Sequence, residues 1–197
     1  MMRLEAAFYQ RPDVVQIARE LLGKTLVTNL SGELTSGIIC ETEAYAGVDD
    51  RASHAFGGRR TARTDVMFFE GGYAYVYLCY GIHNLFNVVT NYQGIPHAVL
   101  IRGIIPSDGL EIIAERRNRK LFSKIGIGPG NVSKSLGIDL QLNQENLIRS
   151  NKIWIENSNL HIPLKDILAT PRIGVDYAGE DAKLPYRFVW KNQATIK

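Results

Sequence analysis

The sequence predicts an α+β fold, a single mixed domain on a mainly antiparallel sheet with flanking helices. Three observations carry this expectation. Apolar runs of strand length follow one another across short turn signals, such as Ser31-Gly32 and Asn91 to Gly94. Stretches of helical periodicity stand apart from these runs instead of alternating with them. The 197 residues, 45% hydrophobic and 22% charged, suit one ordinary globular core.

Taken in order, Pro12 to Leu22 reads as a helix. Val14, Ile17, Ala18, Leu21 and Leu22 form one apolar face, Pro12 suits the start and Gly23 the stop. Leu26 to Thr28 is a short strand that Ser31-Gly32 turns into a longer one, Leu34 to Tyr45. Tyr73 to Cys79 is the next strand; it meets Gly81 and is followed by strands Phe86 to Thr90 and Ala98 to Ile105. A second amphipathic helix runs from about Ser107 to Lys120 with Leu110, Ile113 and Ala114 inward. Gly126 to Gly130 is a glycine-rich loop before a short helix, Val132 to Leu136. Weaker strands lie around Ile153, Leu160, Ile173 and Phe188, and no repeat or linker divides residues 1–197.

Composition excludes several classes. Cys40 and Cys79 lack CxxC spacing, which argues against a disulfide framework or a zinc site and for a reducing compartment. No apolar run approaches membrane-spanning length, and Met1 to Pro12 lacks the apolar core of a secretory signal. A formal charge of +3 does not by itself announce a nucleic-acid partner. The positive charge is clustered, however: Arg59, Arg60 and Arg63 in one group; Arg116, Arg117, Arg119, Lys120 and Lys124 in another.

Two segments carry candidate chemistry. In Cys40-Glu41-Thr42-Glu43-Ala44-Tyr45, alternation places Glu41, Glu43 and Tyr45 on one strand face. Two carboxylates beside an aromatic ring suit water activation or cation stabilisation; they equally suit an edge whose acids pair with arginines. Periodicity does not choose between Glu41 and Glu43. Asp49, Asp50 and His54 follow, and with the glutamates they could hold a divalent cation, although no second histidine stands at ligand spacing.

The other segment is Tyr73-Ala74-Tyr75-Val76-Tyr77-Leu78-Cys79-Tyr80-Gly81. Tyr73, Tyr75 and Tyr77 share a parity that Tyr80 breaks just before a glycine, which places Tyr80 at a turn. A ring on a hairpin tip can enter a DNA minor groove and hold open the gap left by an extruded nucleotide. The adjoining loop, Gly57 to Thr64, offers arginines and threonines to phosphate oxygens, or is merely a solvated loop. Asn87 and Arg102 interrupt apolar strands and need polar partners. Gly126 to Asn131 has neither a Gly-Lys-Ser/Thr nor a GxGxxG pattern, so it is a turn or a site for a backbone phosphate.

In matching order over roughly residues 5–190, these blocks resemble the alkyladenine (3-methyladenine) DNA glycosylase family. They are Glu41-Thr42-Glu43-Ala44-Tyr45, Ala52-Ser53-His54, Gly58-Arg59-Arg60-Thr61, Met67-Phe68, Tyr75-Val76-Tyr77, Tyr80-Gly81 and Asn87-Val88. Val99-Leu100-Ile101-Arg102, Gly128-Pro129-Gly130 and Arg172-Ile173-Gly174-Val175 continue the series. The resemblance implies a curved sheet with a protruding DNA-inserting β-hairpin. It implies excision of damaged purines from double-stranded DNA by a monofunctional hydrolase that leaves an abasic site, without a metal or other cofactor.

By the same resemblance Glu43 is the general base, Tyr45 and Tyr77 sandwich the flipped base, and His54 contacts its edge. Tyr80 is the intercalating wedge, and Asn87 excludes normal guanine. Arg102 lies near the flipped nucleotide's phosphate and Ile173 near its sugar; Arg59, Arg60 and Arg63 are candidate DNA contacts by their residue type in the basic loop. The expected protein is a monomer without membrane attachment, cytoplasmic and nucleoid-associated in a bacterium or nuclear in a eukaryote. Asn131 stands where many relatives carry lysine, and Ile105 where they commonly have glutamate.

Overall fold

The computed structural model describes residues 2–118, 127–158 and 160–191. Two short helices open the chain, α1 (Ala6–Tyr9) and α2 (Val14–Glu20). The Asp13 side chain accepts from the Gln16 N–H at 2.9 Å and caps α2, so the helix begins just after the position that Pro12 suggested. Eight strands follow in one sheet: β1 (Thr25–Leu30), β2 (Glu33–Tyr45), β3 (Ala74–Cys79), β4 (His83–Thr90), β5 (His97–Pro106), β6 (Ile153–Glu156), β7 (Ile167–Thr170) and β8 (Arg187–Trp190). Helices α3 (Leu110–Arg116) and α4 (Pro129–Leu136) lie between β5 and β6 in sequence.

Every strand pairing is antiparallel, and the order is β3-β4-β5-β2-β1-β6. The long strand β2 organises the sheet. One edge pairs with β5; the other is shared by β1 on residues 33–38 and β8 on residues 41–43, with β7 beyond β8. The β2–β5 register shifts twice, between Ile39 and Glu41 and between Glu41 and Thr42. Such bulges curl a sheet and re-aim side chains. Gly103 sits at this irregularity, where an added Cβ would lie 3.0 Å from Glu41 Cβ and 3.1 Å from Cys40 Sγ, so a side chain there would press on Glu41 and Cys40.

Both faces of the sheet are covered. Ala74, Val76, Phe86, Val88 and Ile101 pack with Tyr9, Ile17 and Leu21 of the helical layer. On the other face, Tyr75 and Val89 pack with Val66 and Met67 of the 65–68 turn. This explains why β3 through β5 read as nearly continuous apolar runs.

Four expectations need correction. Helix α3 starts at Leu110, not Ser107, because Ser107 and Asp108 hydrogen-bond Ser36 and Gly109 enters the left-handed region at φ 69°. Leu110 is consequently exposed, not inward. Leu160 and Ile173 are not in strands; the strand of this region is β7, and Ile173 lies in a bend. Helix α4 begins at Pro129, earlier than Val132. Arg119, Lys120, Lys124 and Gly126 lie outside the described residues. Among the described residues, no helix is long and apolar enough to cross a membrane.

Candidate active site

At the C-terminal end of β2, Glu41, Glu43 and Tyr45 do point to one side, and the surroundings separate the two acids. Glu41 is held by two guanidinium groups, Arg102 Nε at 2.9 Å and Arg187 Nε at 2.7 Å, both on its Oε1. Glu43 has 0% exposure and is held differently. Its Oε1 accepts the Ile173 backbone N–H at 2.8 Å, and its Oε2 accepts the Tyr45 hydroxyl at 2.8 Å. Arg102 Nε lies 3.4 Å from Oε1, completing the surround. Burial pushes the Glu43 carboxyl above the usual range, while Arg102, the Ile173 N–H and the Tyr45 hydroxyl oppose that rise. The site thus holds one acid in a two-arginine ion-pair network and a second acid desolvated beside it.

The Ile173 amide is placed by its neighbour. Arg172 reaches back to the end of β2, donating Nη1–H to the Ala44 carbonyl at 2.9 Å and to Asp50 Oδ2, and Nη2–H to Asp50 Oδ1 at 2.8 Å. Its guanidinium also lies 4.9 Å from the centre of the Tyr45 ring. Asp50 additionally accepts the Ala46 and Ala52 backbone N–H groups at 3.0 Å. It is therefore spent on structure. Among the described residues, no group of three or more His, Cys, Asp or Glu side chains is placed to hold a metal ion.

A pocket of about 530 Å³ opens beside Tyr45, Arg102 and Ile173, the residues that hold Glu43; the fully buried Glu43 lies behind them and is not itself part of the lining. Tyr45, His54, Tyr77, Asn87, Arg102 and Ile173, drawn from four separate regions of the sequence, all line it. Its size is ordinary for a small-molecule site, and its walls are aromatic and apolar with a few polar groups. His54 packs edge-on to Tyr77, with centroids 4.8 Å apart. Its Nδ1 lies 2.8 Å from the Tyr75 hydroxyl, and Arg63 Nη2 lies 2.7 Å from its Nε2. A guanidinium only donates, so the ring meets Arg63 with a lone pair. Burial first, then Arg63 and Arg59, push the His54 pKa down to about 4, so the imidazole is neutral near pH 7. Asn87 is buried, and its Nδ2 donates to the Tyr75 carbonyl at 3.1 Å.

The pocket mouth is bordered by the β3–β4 hairpin. Tyr80 and Gly81 have φ of 50° and 70°, and the Ile82 N–H donates to the Cys79 carbonyl at 3.0 Å, a tight turn with both central residues left-handed. This geometry presents Tyr80 with 90% exposure, flanked by exposed Leu78 and Ile82. The arginines of the neighbouring loop divide. Arg63, though exposed, lies over the Tyr77 ring at 4.9 Å. Arg60 pairs with Asp65 at 2.7 Å and lies over Phe68. Arg59 lines an adjoining cleft.

Sequence reading missed the structural work of Asp50, Arg172 and Arg187 and the hydroxyl of Tyr75. Only the parity of Tyr75 with Tyr77 gave a local signal; the ion pairs join residues far apart in the chain.

The profile of the methylpurine-DNA glycosylase family matches residues 7–194. A protein of Chlamydia abortus named "Putative 3-methyladenine DNA glycosylase" is 45% identical over 192 residues, covering 94% of this chain and 97% of that protein. Proteins of the same name from Desulfitobacterium hafniense and Methanocella arvoryzae are 42% and 45% identical, covering 95% and 96% of this chain and 95% and 92% of theirs. With this similarity running nearly end to end, the chain belongs to the methylpurine-DNA glycosylase family.

Proposed function

We propose that this protein extrudes alkylated or deaminated purines from double-stranded DNA and hydrolyses the N-glycosidic bond with water activated by Glu43. The observation that carries this reading is the desolvated Glu43 carboxylate beside an aromatic pocket whose mouth bears an exposed hairpin tyrosine. A purine inside a duplex is out of reach, so it must leave the stack first. Tyr80 fills the gap; Tyr45 and Tyr77 receive the base between them, His54 contacts its edge, and Asn87 crowds the exocyclic amine of normal guanine.

Alkylated purines such as 3-methyladenine leave readily because they are cationic, whereas hypoxanthine needs a proton or strong hydrogen bonding as it departs. The bond from C1′ to the base nitrogen breaks while a water oxygen bonds C1′. Glu43 takes the water's proton and its charge offsets the oxocarbenium character of the sugar. The Ile173 segment borders the sugar. Arg102, paired with both acids, also approaches the phosphate of the extruded nucleotide. Among the described residues no lysine lines the pocket, which supports water as the nucleophile and an uncut abasic product. The protein acts as a monomer wherever its DNA lies, in a cytoplasmic nucleoid or a nucleus.

The test incubates duplexes bearing 3-methyladenine, 7-methylguanine, hypoxanthine or ethenoadenine with the protein in chelator, then measures free base and strand length. Free base with strands that break only in alkali is the expected result. Strand nicking that stops in chelator would point to a metal-dependent nuclease, and binding without base release to a non-catalytic module.

A further inference from the structure

Arg102 stands between two carboxylates and does not bind them alike. Its Nε–H donates to Glu41 Oε1 at 2.9 Å. Its approaches to Glu43 are longer, 3.4 Å from Nε to Oε1 and 3.5 Å from Nη1 to Oε2. An arginine free to settle on a carboxylate closes with two short parallel bonds. At Glu43 that fork is held open.

The sheet holds it from both edges of β2. The β2–β5 register pairs Glu41 with Gly103 and Thr42 with Ile101, so Arg102 is the extra residue of a bulge. A bulge re-aims the side chain it carries. Gly103, opposite Glu41, leaves room for the acid: a Cβ there would lie 3.4 Å from Glu41 Oε2. On the other edge, Arg187 is the cross-strand partner of Glu43, yet its Nε–H crosses diagonally to Glu41 Oε1 at 2.7 Å. Thr170 Oγ1 on β7 accepts from Arg187 Nη1 at 3.1 Å and steadies it there. Both arginines that flank Glu43 therefore make their short bonds to Glu41.

The charged and titratable groups that face Glu43 are Tyr45 and Glu41 on its own strand, Arg102 on β5, Arg187 on β8 and Arg172 beside Ile173. The Arg172 fork is committed to Asp50. A carboxylate clamped by an arginine fork holds its proton weakly, whereas a general base works best when its proton affinity lies near the working pH. We propose that Glu41 and Arg187 are positioning residues for the reaction: together they keep the Arg102 guanidinium on Glu41 and prevent it from closing onto Glu43. The role rests on the glycosylase reading and deepens it, since it gives the first acid of the Glu41-Thr42-Glu43 block a task of its own.

The experiment measures 3-methyladenine released from duplex DNA methylated with dimethyl sulfate, in single turnovers with protein in excess, across pH. This lesion is already cationic, so ionisation of Glu43 shapes the acid limb. Glu41→Gln removes the anion that detains both arginines; they then favour ionised Glu43, and the limb moves to lower pH by about one pH unit. Arg187→Gln leaves two acids sharing Arg102, and the limb moves to higher pH by about as much. The double variant loses one charge of each sign, and its limb falls between those of the single variants. A merely structural role would lower the rate and leave the limb in place. Thermal melts identify any variant that fails to fold; if Glu41→Gln does, the double variant compared with Arg187→Gln reads the same effect of Glu41. Limbs that stay in place, or that move the same way in both single variants, overturn the positioning role and leave the glycosylase reading standing. Absence of 3-methyladenine release by the wild type overturns both.

Discussion

Arg172 and Asp50, 122 residues apart in the chain, form a two-pronged ion pair with side-chain exposures of 0% and 1%. The pair fixes the turn on which Ile173 donates to Glu43. Asp50→Asn leaves a buried guanidinium without its counter-charge, a change that costs about 3–5 kcal/mol. Arg172→Lys keeps the charge but loses the fork, so it costs less. Both loosen the Ile173 N–H that favours ionised Glu43, so the acid limb of the pH profile for base release should move to higher pH. Single-turnover release across pH, on variants shown to melt cooperatively, checks this. An acid limb that stays in place would make the ion pair purely structural.

Glu43→Gln should lower base release by about 10²- to 10⁴-fold while DNA binding persists. It also carries a stability prediction with a definite sign. Burial raises the Glu43 pKa in the folded protein, so ionisation is harder there than in the unfolded chain. The resulting destabilisation is full above the raised folded pKa and fades as pH falls to the ordinary carboxylate range. Glu43→Gln should therefore melt above the wild type at neutral pH, with the gap closing on acidification. A lower melting temperature at neutral pH would show that Arg102, Tyr45 and Ile173 more than repay the desolvation.

His54 titrates with the opposite consequence. Its folded pKa of about 4 lies below the ordinary imidazole value of 6.5, so the unfolded chain takes up the proton first as pH falls. Stability attributable to His54 is present above about pH 6.5 and declines toward pH 4. Protonation would also set an imidazolium against Arg63. His54→Asn should flatten that part of the stability profile, as read by thermal melts between those limits. An unchanged slope would mean that the ring protonates in the folded state without cost.

Asn87 is held by its Nδ2, which donates to the Tyr75 and Leu85 carbonyls at 3.1 and 3.4 Å. Its position on the pocket wall is therefore fixed by strands β3 and β4 and does not adjust to the ligand. Asn87→Ala should let undamaged guanine enter, giving measurable guanine release and a smaller change for hypoxanthine. Guanine release at background in a folded variant would remove the amide from discrimination.

The parts legible in the sequence were those with a local cause. Period-two alternation put Glu41, Glu43 and Tyr45 on one face, and the Tyr80-Gly81 break in parity marked the hairpin turn. What separates Glu43 from Glu41 is not local: an amide 130 residues away and a second arginine on β8. Ile173 read as a strand because it is apolar, yet its N–H goes to a carboxylate and not to a ladder. Asp50 looked like a potential cation ligand because spacing cannot reveal that Arg172 already occupies it. Family resemblance, not spacing, chose Glu43; the structure distinguishes the two acids by the full burial of Glu43 and the two arginines on Glu41.

The hairpin tip allows stability and DNA capture to be pulled apart. Tyr80 sits at φ 50°, a region that costs a residue with a side chain about 1–2 kcal/mol and glycine almost nothing. Its ring is 90% exposed, so deleting it forfeits little packing. Tyr80→Gly should therefore melt at or above the wild type, whereas Tyr80→Ala keeps the strain and melts below Tyr80→Gly. Both should lose the same capability, since neither can occupy the space left by an extruded nucleotide. The fluorescence change of an ethenoadenine duplex before base release reports that step. Equal flipping defects with different melting temperatures assign the ring to DNA and the backbone angle to the turn; normal flipping by Tyr80→Gly would remove Tyr80 from the role of wedge and shift attention to Ile82 beside it.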